Sequence, residues 1–287
     1  MRVLLSLLFS IALCCAFNTP VLAQRNLTIL SYNVLKGFDN DSLKKQQFTR
    51  WVTQWNTDII AFEEMNKFTQ PSLEIFARGY GHGYATLLKE NGFPVAISSK
   101  YPITHIRKVT DNMHHGYIYA RVLDYHLYVL HLSPFSMEKK IEEINTILAD
   151  IEIIPKNEKI ILLGDFNARS PQDSSFYDSG KIAELVRLEQ SDPRRHNLIN
   201  GRPSFDIIRV VEKAGFSDTY HLLHKETESS IPTKSHMGED GVNKLARIDY
   251  IFLNPRLASK CVKAVILKDN VTDTLSDHYP MLVHLKD

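Results

Sequence analysis

Cysteine is almost missing from this chain. Of 287 residues three are Cys, and two of them, Cys14 and Cys15, sit in an apolar N-terminal segment. With that segment set aside Cys261 stands alone, which excludes an internal disulfide framework. The stretch Cys261-Val262-Lys263-Ala264-Val265-Ile266 is strand-like, so Cys261 is expected as a small buried hydrophobe and not as a nucleophile. A charge excess is also absent: 34 Lys and Arg face 33 Asp and Glu, and without Arg2 the two balance. A protein that holds nucleic acid non-specifically usually carries a basic excess or stripe. The balance therefore counts against a bulk nuclease, while leaving room for a local basic groove. No internal repeat, low-complexity tract or Pro/Ser-rich linker divides the chain.

One apolar run stands apart from the rest. Arg2 supplies a positive start, Val3 to Phe17 are largely apolar, and Val21-Leu22-Ala23 offers a small-residue cleavage site before Gln24. Asn18, Thr19 and Pro20 break the run, which is too short to span a bilayer. Neither Cys14 nor Cys15 follows the small residue that a lipoprotein signal favours. The expectation is a cleaved signal peptide over residues 1–23, a secreted or periplasmic protein with no stable membrane span, and one domain over residues 24–287.

That remainder is long enough for a single large α/β unit with a sizeable core. Strand-like runs recur at Leu27 to Val34, Asp58 to Phe62, Tyr84 to Leu88, Val95 to Ser99, Gly116 to Val122, Leu127 to His131, Lys159 to Gly164, Ile248 to Leu253, Val262 to Leu267 and Pro280 to Leu285. Between them Met137, Ile141, Ile144, Leu148 and Ile151 repeat at helical spacing. Leu43 to Trp55 and Phe205 to Ala214 also read as helices, the latter stopped by Gly215. Ser170 to Ser204 and Lys225 to Lys244 are irregular and polar, and are expected as surface excursions of one domain.

Several apolar runs end in polar groups that a buried strand has no structural need for. Ile161-Leu162-Leu163-Gly164-Asp165-Phe166-Asn167 ends in a carboxylate and an amide, which share a face if the chain stays extended. Leu275-Ser276-Asp277-His278-Tyr279-Pro280 carries a carboxylate beside an imidazole. Leu30-Ser31-Tyr32-Asn33 ends in an amide, Asp58-Ile59-Ile60-Ala61-Phe62-Glu63-Glu64 in two acids, and Tyr128-Val129-Leu130-His131 in an imidazole; Arg247-Ile248-Asp249-Tyr250 places an acid at the start of a run. If the run from Asp58 to Glu64 stays extended, Glu64 shares a face with Ile60 and Phe62, and Glu63 with Ile59 and Ala61. Hard oxygen donors converging on one point suit a divalent cation and an attacking water.

Six such segments in this order resemble the endonuclease/exonuclease/phosphatase superfamily, in its deoxyribonuclease-like and neutral sphingomyelinase-like branches, from Asn33 to His278. The resemblance implies a four-layer α/β/β/α sandwich, two packed mixed β-sheets flanked by helices, with the site at one end. It implies metal ligation by Glu64, chiefly, with Asn33 and Asp277, the ion being Mg²⁺ or Mn²⁺. It also implies catalytic roles for His131, Asp165, Asn167, Asp249 and His278. Asp165 would orient or deprotonate water, Asn167 would donate to phosphate oxygens or hold Asp165, and Asp249 would fix His278, which either accepts a proton or stabilises the phosphorane. His131 would bind phosphate or protonate the leaving oxygen. Glu63 stands where the superfamily commonly has Gln.

The implied activity is metal-dependent hydrolysis of a phosphate ester, in a nucleic acid or a phospholipid or sphingolipid head group, by a monomer. The Trp-Cys-Asp-Arg segment of inositol phosphatases is missing around Leu245 to Asp249. Asn33 to Phe38 keep only the outline of the AP endonuclease run. A binding module that has kept the fold and lost catalysis is the alternative, although Glu64, Asp165, Asp249 and His278 are all present.

Overall fold

A computed structural model describes residues 26–239 and 241–286. The expected signal segment lies outside the described residues. Fourteen strands are described: β1 Asn26–Asn33, β2 Ile59–Glu63, β3 Tyr84–Leu87, β4 Ala96–Ser99, β5 Ile103–Val109, β6 Gly116–Val122, β7 Tyr125–His131, β8 Lys159–Asp165, β9 Leu198–Ile199, β10 Arg202–Pro203, β11 Ser217–Asp218, β12 Asp249–Leu253, β13 Cys261–Ile266 and β14 Met281–Lys286. Two six-stranded sheets run β13-β14-β1-β2-β4-β3 and β11-β12-β8-β7-β6-β5, with β9 and β10 forming a small separate ladder. Each large sheet is mixed. β1 and β2 pair in parallel, as do β7 and β8, while the other pairings are antiparallel.

Three apolar layers account for this architecture. Ile29, Ile59, Ala61, Val129, Ile161, Leu163, Ile251 and Val283 fill the space between the sheets. The alternate residues Leu30, Tyr32, Ile60 and Phe62 face outward, against Phe48, Trp51 and Leu73. On the second sheet Tyr128, Leu130, Leu162 and Phe252 meet Ile144, Ile147 and Ile208. Because both faces of the central strands are covered, these strands are apolar at nearly every position. The expected four-layer α/β/β/α sandwich is the one observed.

The helices begin where the sequence supplies caps. Asp41 accepts from the Leu43 amide to start Ser42–Thr53. Thr69 and Ser72 form a reciprocal capping box for Gln70–Arg78, and Ser136 caps Met137–Glu152. Gly215, at φ 93°, turns the chain after Asp206–Lys213. Several elements lie outside the sequence reading, the helix Gln70–Arg78 among them. β5 is an edge strand with mostly exposed or half-buried residues, so it lacks an apolar run. The helix Ser179–Ser191 lies inside the stretch read as irregular. Cys261 is buried, as expected. Among the described residues, no helix is long and apolar enough to cross a membrane.

His82 shows how the fold is tied to pH away from the functional end. It is buried, with Nε2 2.8 Å from the Thr57 carbonyl and Nδ1 2.9 Å from Ser98 Oγ. Burial pushes its imidazole down to about 4. The unfolded chain protonates this ring near pH 6.5 and the folded chain only near 4. The stability it contributes is therefore complete above about pH 6.5 and lost as pH falls toward 4, by up to about 3 kcal/mol. Denaturant unfolding of wild type and His82→Gln between pH 4 and 7.5 checks this: the variant should show a flatter loss of stability on acidification. An equal slope in both would assign the acid sensitivity elsewhere.

Candidate active site

Four strand ends and one strand start meet at one end of the sandwich. Asn33 of β1 lies opposite Glu63 of β2. In the second sheet Asp165 of β8 lies between His131 of β7 and Asp249 of β12. Side-chain alternation sets the direction: Ile161 and Leu163 point into the layer between the sheets, so Asp165, two residues on, points there too. Gly164 is required beside it. At φ 136°, an added Cβ would lie 2.0 Å from the Leu130 carbonyl oxygen and 3.1 Å from Glu63 Oε1.

Asn33 joins the two sheets, its Nδ2 donating to Asp165 Oδ2 at 3.1 Å and to Glu64 Oε1 at 3.3 Å. Glu64 Oε2 accepts from the Lys36 amide at 3.0 Å. The Asp277-His278 turn is tied to β1 through Ser276, whose Oγ donates to the Asn33 carbonyl at 2.8 Å. His278 Nδ1 lies 2.9 Å from Asp249 Oδ2, and the same carboxylate oxygen accepts from Ser230 Oγ at 2.6 Å. The other ring nitrogen, Nε2, is 3.9 Å from both Asp165 Oδ2 and Asp277 Oδ1.

Burial and charge divide the roles open to these groups. Burial alone would lower the pKa of His278, but Asp249, Asp277 and Asp165 outweigh it and raise the pKa well above 6.5. Asp165 is shifted upward by burial and by repulsion from Asp249, against the pull of His278. Burial raises Glu64 as well. Glu63 is driven well above the usual carboxylate range by burial and by Asp249 and Asp165. The site thus contains an imidazolium, a carboxylate of raised basicity and a buried acid behind them.

The structure brings the expected residues together, with three differences in how they arrive. Extended-strand alternation does not carry Glu64 into the site, because Ile60 and Phe62 face the outer helices. It is Glu63 that follows Ile59 and Ala61 inward. Glu64 reaches the site through a left-handed backbone, φ 59°, at the end of β2. Asn167 likewise leaves the extended path at φ 46°. Its backbone amide donates to Asp165 Oδ1 and its Nδ2 to the Leu132 carbonyl, so it braces Asp165 while Phe166 turns into the outer core. His131 is buried, 3.4 Å from Asp165 Oδ2 and stacked on His115 at 4.0 Å between centroids. Burial and the neighbouring histidines lower its pKa well below 6.5. A neutral ring in that position orients Asp165 and is poorly suited to protonate a leaving group.

Asp165, Asp249 and His278 offer ligand atoms that all lie within 4.8 Å of one another. Glu64 and Asp277 are half-buried at the rim and Asn33 is buried. Four carboxylates besides Glu63 surround one imidazolium, an oxygen-rich, anionic donor set that fits a hard divalent cation. Ser230 and Glu63 were not read as site residues. Ser230 stands in an irregular stretch with no signal, whereas Glu63 was detectable from the inward face of β2.

In metal-free protein, the His278 ring should hold its proton above pH 7, and Asp249→Asn should lower its pKa by at least about 1 unit. Imidazole NMR titration of both proteins measures this. An unmoved titration would remove Asp249 as the source of the shift.

No curated protein matches the sequence. Solved structures do match in fold. An AP endonuclease from Archaeoglobus fulgidus is 18% identical, with a TM-score of 0.65 over 91% of this chain and 99% of that one. A 3′ phosphatase from Neisseria, bound to a product DNA hairpin, is 18% identical with a TM-score of 0.69, over 91% and 100%. A 3′-5′ exonuclease from Neisseria meningitidis is 18% identical with a TM-score of 0.67 over the same shares. The family model described as endonuclease/exonuclease/phosphatase matches residues 30–278, a span that opens just before Asn33 and closes on His278. With its site residues inside that span, the chain belongs to the endonuclease/exonuclease/phosphatase family.

Proposed function

We propose that this protein is an exported, divalent-metal-dependent phosphodiesterase that cleaves a phosphate ester by direct attack of water. The observation that carries this reading is the placement of Asp165. Its carboxylate is held by Asn33 and by the Asn167 amide, is made more basic by burial, and lies 3.9 Å from the Nε2 of a charged His278.

The residues divide the work as follows. Asp165 takes a proton from the attacking water as its oxygen bonds to phosphorus. His278, kept charged by Asp249, donates through Nε2 to a phosphoryl oxygen and stabilises the charge that accumulates there. Ser230 fixes Asp249, and Asn33 keeps Asp165 and Glu64 in register across the two sheets. The P–O bond to the leaving group then breaks, and the departing oxygen takes a proton from solvent. Held by Glu64 with Asn33 and Asp277, Mg²⁺ or Mn²⁺ would neutralise phosphate charge and polarise the phosphoryl oxygen. The N-terminal segment supports export, and the DNA product in the Neisseria 3′ phosphatase supports a nucleotide ester before a lipid one. A non-catalytic binding module would have no use for a charged imidazole set against a basic carboxylate.

EDTA should abolish hydrolysis of bis-p-nitrophenyl phosphate, and added Mg²⁺ or Mn²⁺ should restore it. Glu64→Gln and Asp165→Asn should each lower kcat by about 100-fold or more with the fold intact by circular dichroism. Asp249→Asn and His278→Ala should be non-additive, the double variant losing little beyond the worse single one. Full activity in EDTA would end the metal assignment, and additive losses would dissolve the pair. Natively expressed protein should begin near Gln24 by mass spectrometry; intact Met1 in the cytoplasm would refute export.

A further inference from the structure

Beside the catalytic residues lies a cavity of about 250 Å³ that reaches from Asp277 and His278 to Arg169, Arg195 and Lys244. It is built by the two excursions that lie far apart in sequence. The helix Ser179–Ser191 from the first packs against Gly241–Lys244 from the second, and Gly180 permits the approach, since a Cβ there would lie 3.0 Å from Asn243 Oδ1. Leu188 contributes an apolar floor.

The charges of this wall are sorted. Its acids are engaged in holding the wall together. Glu189 accepts from the Asn197 and Leu198 amides at 2.7 and 2.9 Å, Glu184 grips Arg187 through two bonds of 2.7 Å, and Asp192 pairs with Arg194 at 2.7 Å. Among the described residues, no carboxylate lies within 4 Å of Arg169 or Lys244, and Arg195 comes only to 3.9 Å of Asp192. Arg169 rests over the Tyr177 ring at 5.6 Å, and its Nε is a buried donor with no acceptor. Three cations converging on a small cavity repel one another, and Asp277 at its rim and Asp192 beside Arg195 offset this only in part. A bound dianion would offset the rest, and guanidinium forks match the geometry of phosphate oxygens.

We propose that this cavity is a subsite for a second phosphoryl group, so that the substrate is a phosphodiester with one short arm ending in a phosphate. This rests on the hydrolytic reading above. The arm occupies the cavity while the ester phosphorus lies at Asp165 and His278. A cavity of about 250 Å³ holds a short arm and not a continuing polymer, which makes the protein selective for a chain end or a small bisphosphorylated molecule.

The test compares thymidine 5′-(p-nitrophenyl phosphate) with its 3′-phosphorylated counterpart, with products separated by anion-exchange chromatography. Wild type should favour the 3′-phosphorylated ester by about 10-fold or more in kcat/KM, mainly through KM. Arg195→Gln and Lys244→Gln should each reduce that ratio, and Arg169→Gln should do so provided its melting temperature shows that it folds. A wild-type ratio near one, or a ratio unmoved by Arg195→Gln and Lys244→Gln, would overturn the proposal. A calorimetric arm is independent of turnover. Thymidine 3′,5′-bisphosphate and inositol 1,4-bisphosphate, titrated into wild type and Lys244→Gln, separate a nucleotide from a lipid-headgroup source, and at least one should bind more weakly to the variant. Absence of any hydrolysis with normal calorimetric binding would sink the phosphodiesterase reading alone. If neither bisphosphate binds to wild type, the subsite is refuted.

Discussion

The cost of holding carboxylates out of water at one end of the sandwich is the constraint to which the rest of the structure answers. Glu63, Glu64, Asp165, Asp249 and Asp277 share that end with one imidazolium, and three of the five, Glu63, Asp165 and Asp249, are almost fully buried. An isolated ionised carboxylate there would be prohibitive. Each is accommodated differently. Glu63 takes its proton; Asp165 leans on Asn33 and the Asn167 amide; Asp249 is bonded to both Ser230 and His278. The unequal solutions give the site its function, because they leave one basic carboxylate facing one charged imidazole.

Holding that arrangement requires a rigid frame behind it, and Arg247 supplies much of it. Its guanidinium is fully buried, paired with Asp218 at 2.6 Å and Asp173 at 2.8 Å, and lies 4.6 Å from the Tyr250 ring centre. Asp173 also takes hydrogen bonds from His221 and Thr227. This network clamps the start of β12 to the turn Pro171–Phe176 and to β11, two residues from Asp249. A fully buried ion network is weak evidence for net stability. Its clearer consequence is positional, since Asp249 sits at the first residue of its strand and would otherwise be free to fray.

How much of this was legible follows from where each residue stands. Asn33, His131, Asp165 and Asp249 close or open continuous apolar strands, so hydrophobic pattern and motif order locate them together. Glu64 and Asn167 were found by resemblance, while the alternation argument for their faces failed, because both leave the extended backbone at positive φ and a change of hand at one residue leaves no periodic trace. Ser230 stands in a polar stretch held by backbone bonds to Ala246 and Tyr279, and Arg169 and Lys244 come together only through the packing of Ser179–Ser191 on Gly241–Lys244. The helix Ser179–Ser191 hides in the sequence since its apolar residues Ile182, Ala183, Leu185, Val186 and Leu188 are interrupted by Glu184 and Arg187 and lie inside a polar stretch. β5 hides for the opposite reason: an exposed edge strand needs no apolar face.

The even charge balance illustrates the same limit at a larger scale. Net charge describes how a protein meets a distant partner, through fields that salt screens within about 8 to 10 Å. It says little about a site, where the relevant quantity is which charges are already paired. In the wall beside the site the acids are consumed by amides and arginines of the wall itself, and the cations are left facing the cavity. At the strand ends the acids are concentrated instead, with a single charged imidazole among them. A chain with no overall excess of either sign can thus place an anionic, cation-seeking pole and a cationic, phosphate-seeking pole side by side. That juxtaposition is what a metal-assisted attack on a phosphate ester demands, for the metal must be drawn to one pole and the substrate's charge to the other.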